Sequence, residues 1–140
     1  MTLRAWGTTP LVFLAVAVFT FAERVRLALT TQTRIVEGVA VVRCQGTIVF
    51  GEETTELHLY LKDLLDQQHS LVLELSGVPY LDSSGMGMLI GVYVSAVRDV
   101  RQLKLVGLTP KVRRVLTTTR LLQLFEVYED ESAAIQACVS

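Results

Sequence analysis

Several things are scarce in this chain. Its 140 residues include two cysteines, two histidines, three prolines and one tryptophan, and 13 basic against 14 acidic residues leave a formal net charge of −1. Cys44 and Cys138 lie in apolar stretches without ligand spacing, so they read as small buried thiols in a reducing compartment rather than a disulfide framework or a zinc site. His58 and His69 belong to no metal-binding pattern; they are expected on an exposed helix and an exposed loop, with no metal and no cofactor. Phosphate backbones are bound by basic stripes, and the even charge balance supplies none, which argues against direct nucleic-acid contact. No apolar run reaches the roughly 20 residues of a spanning helix. A chain of this length is expected to form one domain that buries about two-thirds of its unfolded surface.

The N-terminus departs from this composition. Leu11 to Ala22 reads LVFLAVAVFTFA after a single Arg4, like the apolar region of a signal peptide, with Thr20-Phe21-Ala22 as a small-residue cleavage site. Three readings stay open: an export signal or membrane anchor, a helix packed on the domain, or a translation start assigned upstream of one at Val25 or Leu27. The chain is therefore divided into an apolar extension, 1–24, and a domain, 25–140. Membrane contact is expected only if the extension is genuine, and the cytoplasm is the expected location otherwise.

From Val25 onward, strand-like and helix-like periods alternate. Val25 to Thr31 and Val39 to Gln45 are rich in β-branched residues, and Glu37-Gly38 supplies a turn, which predicts an antiparallel hairpin. In Glu52 to Leu65 the residues Leu57, Tyr60, Leu61, Leu64 and Leu65 recur at helical spacing, an amphipathic helix. Leu71 to Leu75 and Leu103 to Val106 read as strands buried on both faces. Ser84 to Val100 reads as a second helix, with Met88, Leu89, Val92, Tyr93 and Ala96 on one side. Thr109-Pro110 opens a third helix, as threonine caps and proline is at ease in the first turn. Phe125 to Tyr128 is a last strand, and Asp130 to Cys138 a closing helix with an acidic first turn. Strands joined through helices run parallel. The expected fold is α/β: a four- to five-stranded mixed sheet with helices covering mainly one face.

The stretch with chemical potential is Val78 to Tyr93, VPYLDSSGMGMLIGVY. It reads as a buried strand turning into a glycine-punctuated helix. Asp82 and Ser83 are both suited to capping the amides freed at the helix start. Gly85 and Gly87 lack a Cβ, so another backbone or a partner surface can approach closely. A serine there is exposed, at the positive end of a helix dipole that tolerates an anion. The same residues could serve purely as caps. Catalysis has little support, because the segment offers no neighbouring general base, dinucleotide fingerprint, phosphate-binding loop or nucleophile elbow.

The run LVLELSGVPYLDSSGMGMLIGVY resembles the signature of the STAS family, in particular the anti-sigma factor antagonists of bacteria. Their pattern places an apolar residue before D-S-S-G-L-G; here Leu81, Asp82, Ser83, Ser84, Gly85, Met86 and Gly87 occupy it. LKLVGLTPKVRRVLTTTRLLQLFEVYEDESAAIQA is similar to the family's C-terminal block, and Gly46 matches a glycine that closes its second strand. The resemblance, about Val25 to Cys138, implies a single STAS domain that is not an enzyme. It implies phosphorylation of Ser83 by a partner that is both serine kinase and anti-sigma factor. The unmodified domain would bind that partner and free the sigma factor; the phosphorylated one would not. Asp82, Ser84, Gly85, Met86 and Gly87 would lie in the interface.

Three positions depart from the family's pattern. An aspartate expected after Gly46 is replaced by Val49, with Glu52 and Glu53 as candidate substitutes. The usual Gly-Gly before the fourth strand reads Arg101-Gln102, and the T-G-L turn reads Thr119-Arg120-Leu121, where arginine is ill suited to a positive φ. Other STAS roles stay open: a docking subunit of a lipid-transport complex, or a stress-signalling scaffold without a phosphoswitch. An exported small-ligand-binding domain is a more distant reading.

Overall fold

The computed structural model of the protein describes residues 28–140. The segment Leu11 to Ala22, with its three readings, lies outside the described residues, as does 25–27 of the predicted first strand. The described elements are β1 (Thr30–Val36), β2 (Val39–Gln45), α1 (Glu52–Asp66), β3 (Ser70–Gly77), α2 (Ser83–Arg98), β4 (Leu103–Val106), α3 (Pro110–Thr118), a 3₁₀ turn (Leu121–Leu124), β5 (Glu126–Tyr128) and α4 (Glu131–Val139). Five strands form one mixed sheet in the order β1-β2-β3-β4-β5. β1 pairs antiparallel with β2, and every later pair is parallel.

The first strand is displaced from its predicted position. It runs from Thr30 to Val36, not from Val25 to Thr31, because the turn is tight: Glu37 and Gly38 both take positive φ, 51° and 82°. Val36 then pairs directly with Val39 and the ladder continues back to Thr30 opposite Gln45. That geometry is the two-residue hairpin turn whose twist matches its strands. The strand is polar (TTQTRIV) and exposed for nearly its whole length, so composition alone did not mark it.

Two apolar layers hold the sheet. On one face Ala40, Val42, Leu71, Leu73, Leu75 and Leu105 meet α1 through Leu57, Leu61, Leu64 and Leu65, α2 through Met88, Leu89, Val92 and Ala96, and α3 through Val112 and Leu116. On the other face Val39, Val41, Val72 and Val106 meet Ala134 and Ile135 of α4. Helices thus lie mainly on one face, with α4 alone among the described helices on the other. Each fully buried Leu or Val contributes roughly 1.5–3 kcal/mol, and the central strands are covered on both sides, as their continuous apolar runs implied. Tyr60, counted in the α1 stripe, lies at its margin and donates its hydroxyl to Thr33 Oγ1 at 2.7 Å.

Cys44 is fully buried and its thiol is pushed up to about 12 by burial; Cys138 is half-buried. The histidines are half-buried rather than exposed. His58 packs over Gly91 of α2, where an added Cβ would stand 3.0 Å from the ring. Burial lowers its pKa, with Lys62 adding to the effect. His69 Nδ1 lies 2.8 Å from the Gly38 carbonyl oxygen.

Candidate partner-docking site

The residues from Leu81 to Gly87 meet a second loop at the carboxyl ends of β2 and β3. The chain leaves β2 through Gly46, whose φ of +108° suits glycine and whose amide donates to Gly77 O at 3.0 Å. Two residues on, buried Ile48 forms a parallel bridge with buried Leu81. Ile48 donates to Tyr80 O at 3.1 Å and accepts from the Asp82 amide at 3.3 Å. Burial of the two apolar side chains pins two loops that are distant in sequence.

Asp82 fastens this junction. Its Oδ1 accepts from the Gly85 amide at 3.0 Å, which caps α2, and its Oδ2 accepts from the Phe50 amide at 3.0 Å. One carboxylate therefore caps a helix and holds the neighbouring loop. The Phe50 amide, followed by those of Gly85, Ser84 and Asp82 itself, draws the carboxyl below its ordinary value against the opposing effect of burial. Amides that bond the charged form favour it.

With Asp82 as the cap, Ser83 becomes the first residue of α2. It is exposed, and the bonds that secure the turn run through Asp82, not through its hydroxyl. Of the two residues predicted as caps, the aspartate caps and the serine is left facing solvent. Ser84 and Met86 are half-buried, and Gly87 is exposed.

The two glycines have different surroundings. A Cβ on Gly85 would stand 2.3 Å from the Ile48 carbonyl oxygen and 2.9 Å from Leu81 Cβ; around Gly87 nothing lies within 4 Å. Gly85 is buried, so it shapes the site by admitting the Ile48 loop and offers little surface of its own. Gly87 leaves the first turns of α2 open to approach.

Sequence reasoning missed exposed residues joined to the Asp82 junction and to the strand end before it. Phe50 is 85% exposed and Tyr80 40%, while Lys111 Nζ sits 5.8 Å from the Tyr80 ring centroid. Phe50 is placed by the hydrogen bond that its backbone amide donates to Asp82 Oδ2; its one sequence signal is an aromatic residue set between valine and glycine in a loop. Beside it a cleft of about 340 Å³ is lined by Thr47, Val49, Phe50, Gly51, Glu52, Glu53 and Thr54. Glu52 and Glu53 thus stand at this margin, where the resemblance expected an aspartate, while Val49 uses its carbonyl to accept from Thr54 Oγ1 at 2.5 Å.

The arrangement brings an exposed hydroxyl at a helix start, exposed aromatic rings and an acidic rim to one end of the sheet. Residues 30–134 match the STAS domain, and the chain belongs to that family. It is 26% identical over 101 residues to the anti-sigma F factor antagonist of Paenibacillus polymyxa, covering 70% of this chain and 85% of that protein. An anti-sigma factor antagonist from Mycobacterium paratuberculosis superposes with a TM-score of 0.70 at 25% identity, over 81% of this chain and 96% of that one. The same fold occurs in the antagonist SpoIIAA in its unphosphorylated form, with a TM-score of 0.67 and 19% identity over 77% of this chain and 95% of that one. SpoIIAA has also been solved in a phosphorylated form, with a TM-score of 0.61 and 17% identity over 79% of this chain and 98% of that one.

Proposed function

We propose that this protein is a cytoplasmic anti-sigma factor antagonist that docks, without catalysis of its own, onto an anti-sigma factor with serine-kinase activity, and that phosphorylation of Ser83 ends the docking. The observation that carries the reading is the placement of Ser83: first residue of α2, exposed, beside a capping aspartate that holds the turn without it. The similarity to proteins named as anti-sigma factor antagonists supports the choice of partner.

The switch is local. A phosphoserine adds a charge of about −1.5 to −2 with three acceptor oxygens. At a helix N-terminus such a charge favours the fold by about 0.3–1 kcal/mol when exposed. The domain therefore stays folded, and the loss falls on the complex, where a hydrated anion must be desolvated between two surfaces. A few kcal/mol suffice, since about 1.4 kcal/mol is a factor of ten in affinity. Asp82, Ser84, Met86 and Gly87 form the surface around the acceptor, with Gly85 as its internal support and Phe50 and Tyr80 as apolar contacts.

The test is retention of the partner by Ser83→Ala and Ser83→Asp in the presence of ATP. The alanine variant stays bound throughout, and the aspartate variant binds at least about tenfold more weakly. Equal binding by both variants and the wild type would remove the assignment.

A further inference from the structure

Among the described residues β1 forms an unpaired edge of the sheet, and it carries chemistry that the docking site does not use. β1 is seven residues long and exposed, pairs with β2 without a register break, and contains no proline or lysine. Natural edge strands are protected by prolines, lysines, bulges or shortness, and this one has none of those devices. Its single charge, Arg34, is paired with Glu131 of α4 across the face of the sheet, so it does not guard the edge.

The hairpin decides which backbone groups face outward. Val36 and Val39 close a two-residue turn, so they form a hydrogen-bonded pair, and alternation turns Val36, Arg34, Gln32 and Thr30 towards β2. The amides and carbonyls of Thr31, Thr33 and Ile35 then point away from the sheet. Their side chains share the α1 face, since they stand opposite Cys44, Val42 and Ala40, which belong to that core.

We propose that β1 pairs antiparallel with β1 of a second copy of this chain, on a two-fold axis at Thr33, joining two sheets into one. The sequence of the strand selects this register. Centred on Thr33, all seven residues overlap: Thr33 faces its own counterpart, Thr31 faces Ile35, Gln32 faces Arg34 and Thr30 faces Val36. Every outward-facing residue meets an outward-facing residue, and the three outward pairs exchange about six hydrogen bonds. Centring on Arg34 would set two guanidiniums opposite each other, which is unfavourable; centring on Gln32 would leave Val36 beyond the ladder. Ile35, 50% exposed, is covered by Thr31 of the second copy. An edge junction lies at the small end of protein interfaces, so a dissociation constant on the order of 10 µM is expected.

Sedimentation equilibrium of the full chain at about 1–200 µM tests this, together with oxidative cross-linking of two variants that each add one cysteine to the native Cys44 and Cys138. The wild type is expected to pass from monomer to dimer across that range. Thr33→Pro removes an outward amide and no bond to β2, and is expected to weaken association at least about tenfold. Thr33→Cys places two thiols on opposed residues about 5.5 Å apart at Cα, within disulfide reach, and is expected to give a covalent dimer that neither the wild type nor Gln32→Cys gives. A wild type monomeric throughout, a Thr33→Pro chain that dimerises like the wild type, or equal cross-linking at positions 32 and 33 would each overturn the proposal. None of these outcomes bears on Ser83, which lies at the far end of the β3-to-α2 turn.

Discussion

Three of the four described α-helices begin on a side-chain cap, α1 starting at Gly51 without one, and three of them end badly. α2, α3 and α4 start with the side-chain caps Asp82, Thr109 and Asp130, each accepting from an amide of its first turn. At their C-termini α1, α2 and α3 run into Gln68, Val100 and Arg120 with φ of 71°, 57° and 64°. That left-handed position after a helix usually belongs to glycine or asparagine. After α2 the full bonding pattern is nevertheless present: Val100 donates to Val97 O at 3.1 Å and Arg101 to Ala96 O at 2.8 Å. The orphan carbonyls are satisfied, but through a β-branched residue that is 86% exposed. The capped starts of α2, α3 and α4 are fitted to their geometry, and the turns after α1, α2 and α3 absorb the strain.

The sharpest way to break this contrast is Gly85→Ala. A Cβ at 2.3 Å from the Ile48 carbonyl must push the two pinned loops apart, a misfit that costs about 3 kcal/mol and lowers the melting temperature by about 10 °C; calorimetry reads it. Asp82→Ala removes both the cap and the bond to Phe50, for a loss of about 1–2 kcal/mol in chemical denaturation. Because the Asp82 carboxyl is held below its ordinary value of 3.8, its contribution is complete above that pH and drains as pH falls through the lower folded value. Asp82→Asn is therefore expected to flatten the acid limb of the stability profile.

Substitutions at the helix ends act in the opposite direction. Val100→Gly relieves a left-handed β-branched residue, and Arg120→Gly a left-handed arginine. Each is expected to stabilise by about 0.5–1 kcal/mol, the strain relieved less the greater freedom of glycine in the unfolded chain. Gly87→Ala, in open space within α2, gains at most about 1 kcal/mol from helix propensity. Since Gly87 lies beside Ser83, the same change is expected to weaken docking while raising stability, a combination separable by measuring affinity and melting temperature on one sample.

Much of the fold was legible because its signals are local. The continuous apolar runs LVLEL and LKLV, the cap at Thr109-Pro110 and the helical spacing of Leu57, Leu61, Leu64 and Leu65 each needed only neighbours in sequence to be read, and the structure has strands and helices there. The discomfort expected of Arg120 appears as its positive φ. What eluded the sequence is non-local. β1 lies five residues later than predicted because its start is set by the ladder with β2, and a polar edge strand has no period to display. Gly85 turned inward because Ile48, 37 residues earlier by numbering, occupies its missing Cβ. Phe50 reaches Asp82, and Lys111 the Tyr80 ring, only through pairings between distant segments that no spacing encodes. For the same reason α4 could be recognised as a helix but not assigned to the second face.

The central claim is that a phosphate on Ser83 acts on the complex and not on the fold. The most direct measurement is isothermal titration of the anti-sigma factor with stoichiometrically phosphorylated and unmodified protein, paired with thermal melts of both forms. The account predicts affinity at least about tenfold lower after phosphorylation, with melting temperatures agreeing within a few degrees. Undiminished affinity, or a phosphorylated form that melts far below the unmodified one, would contradict it.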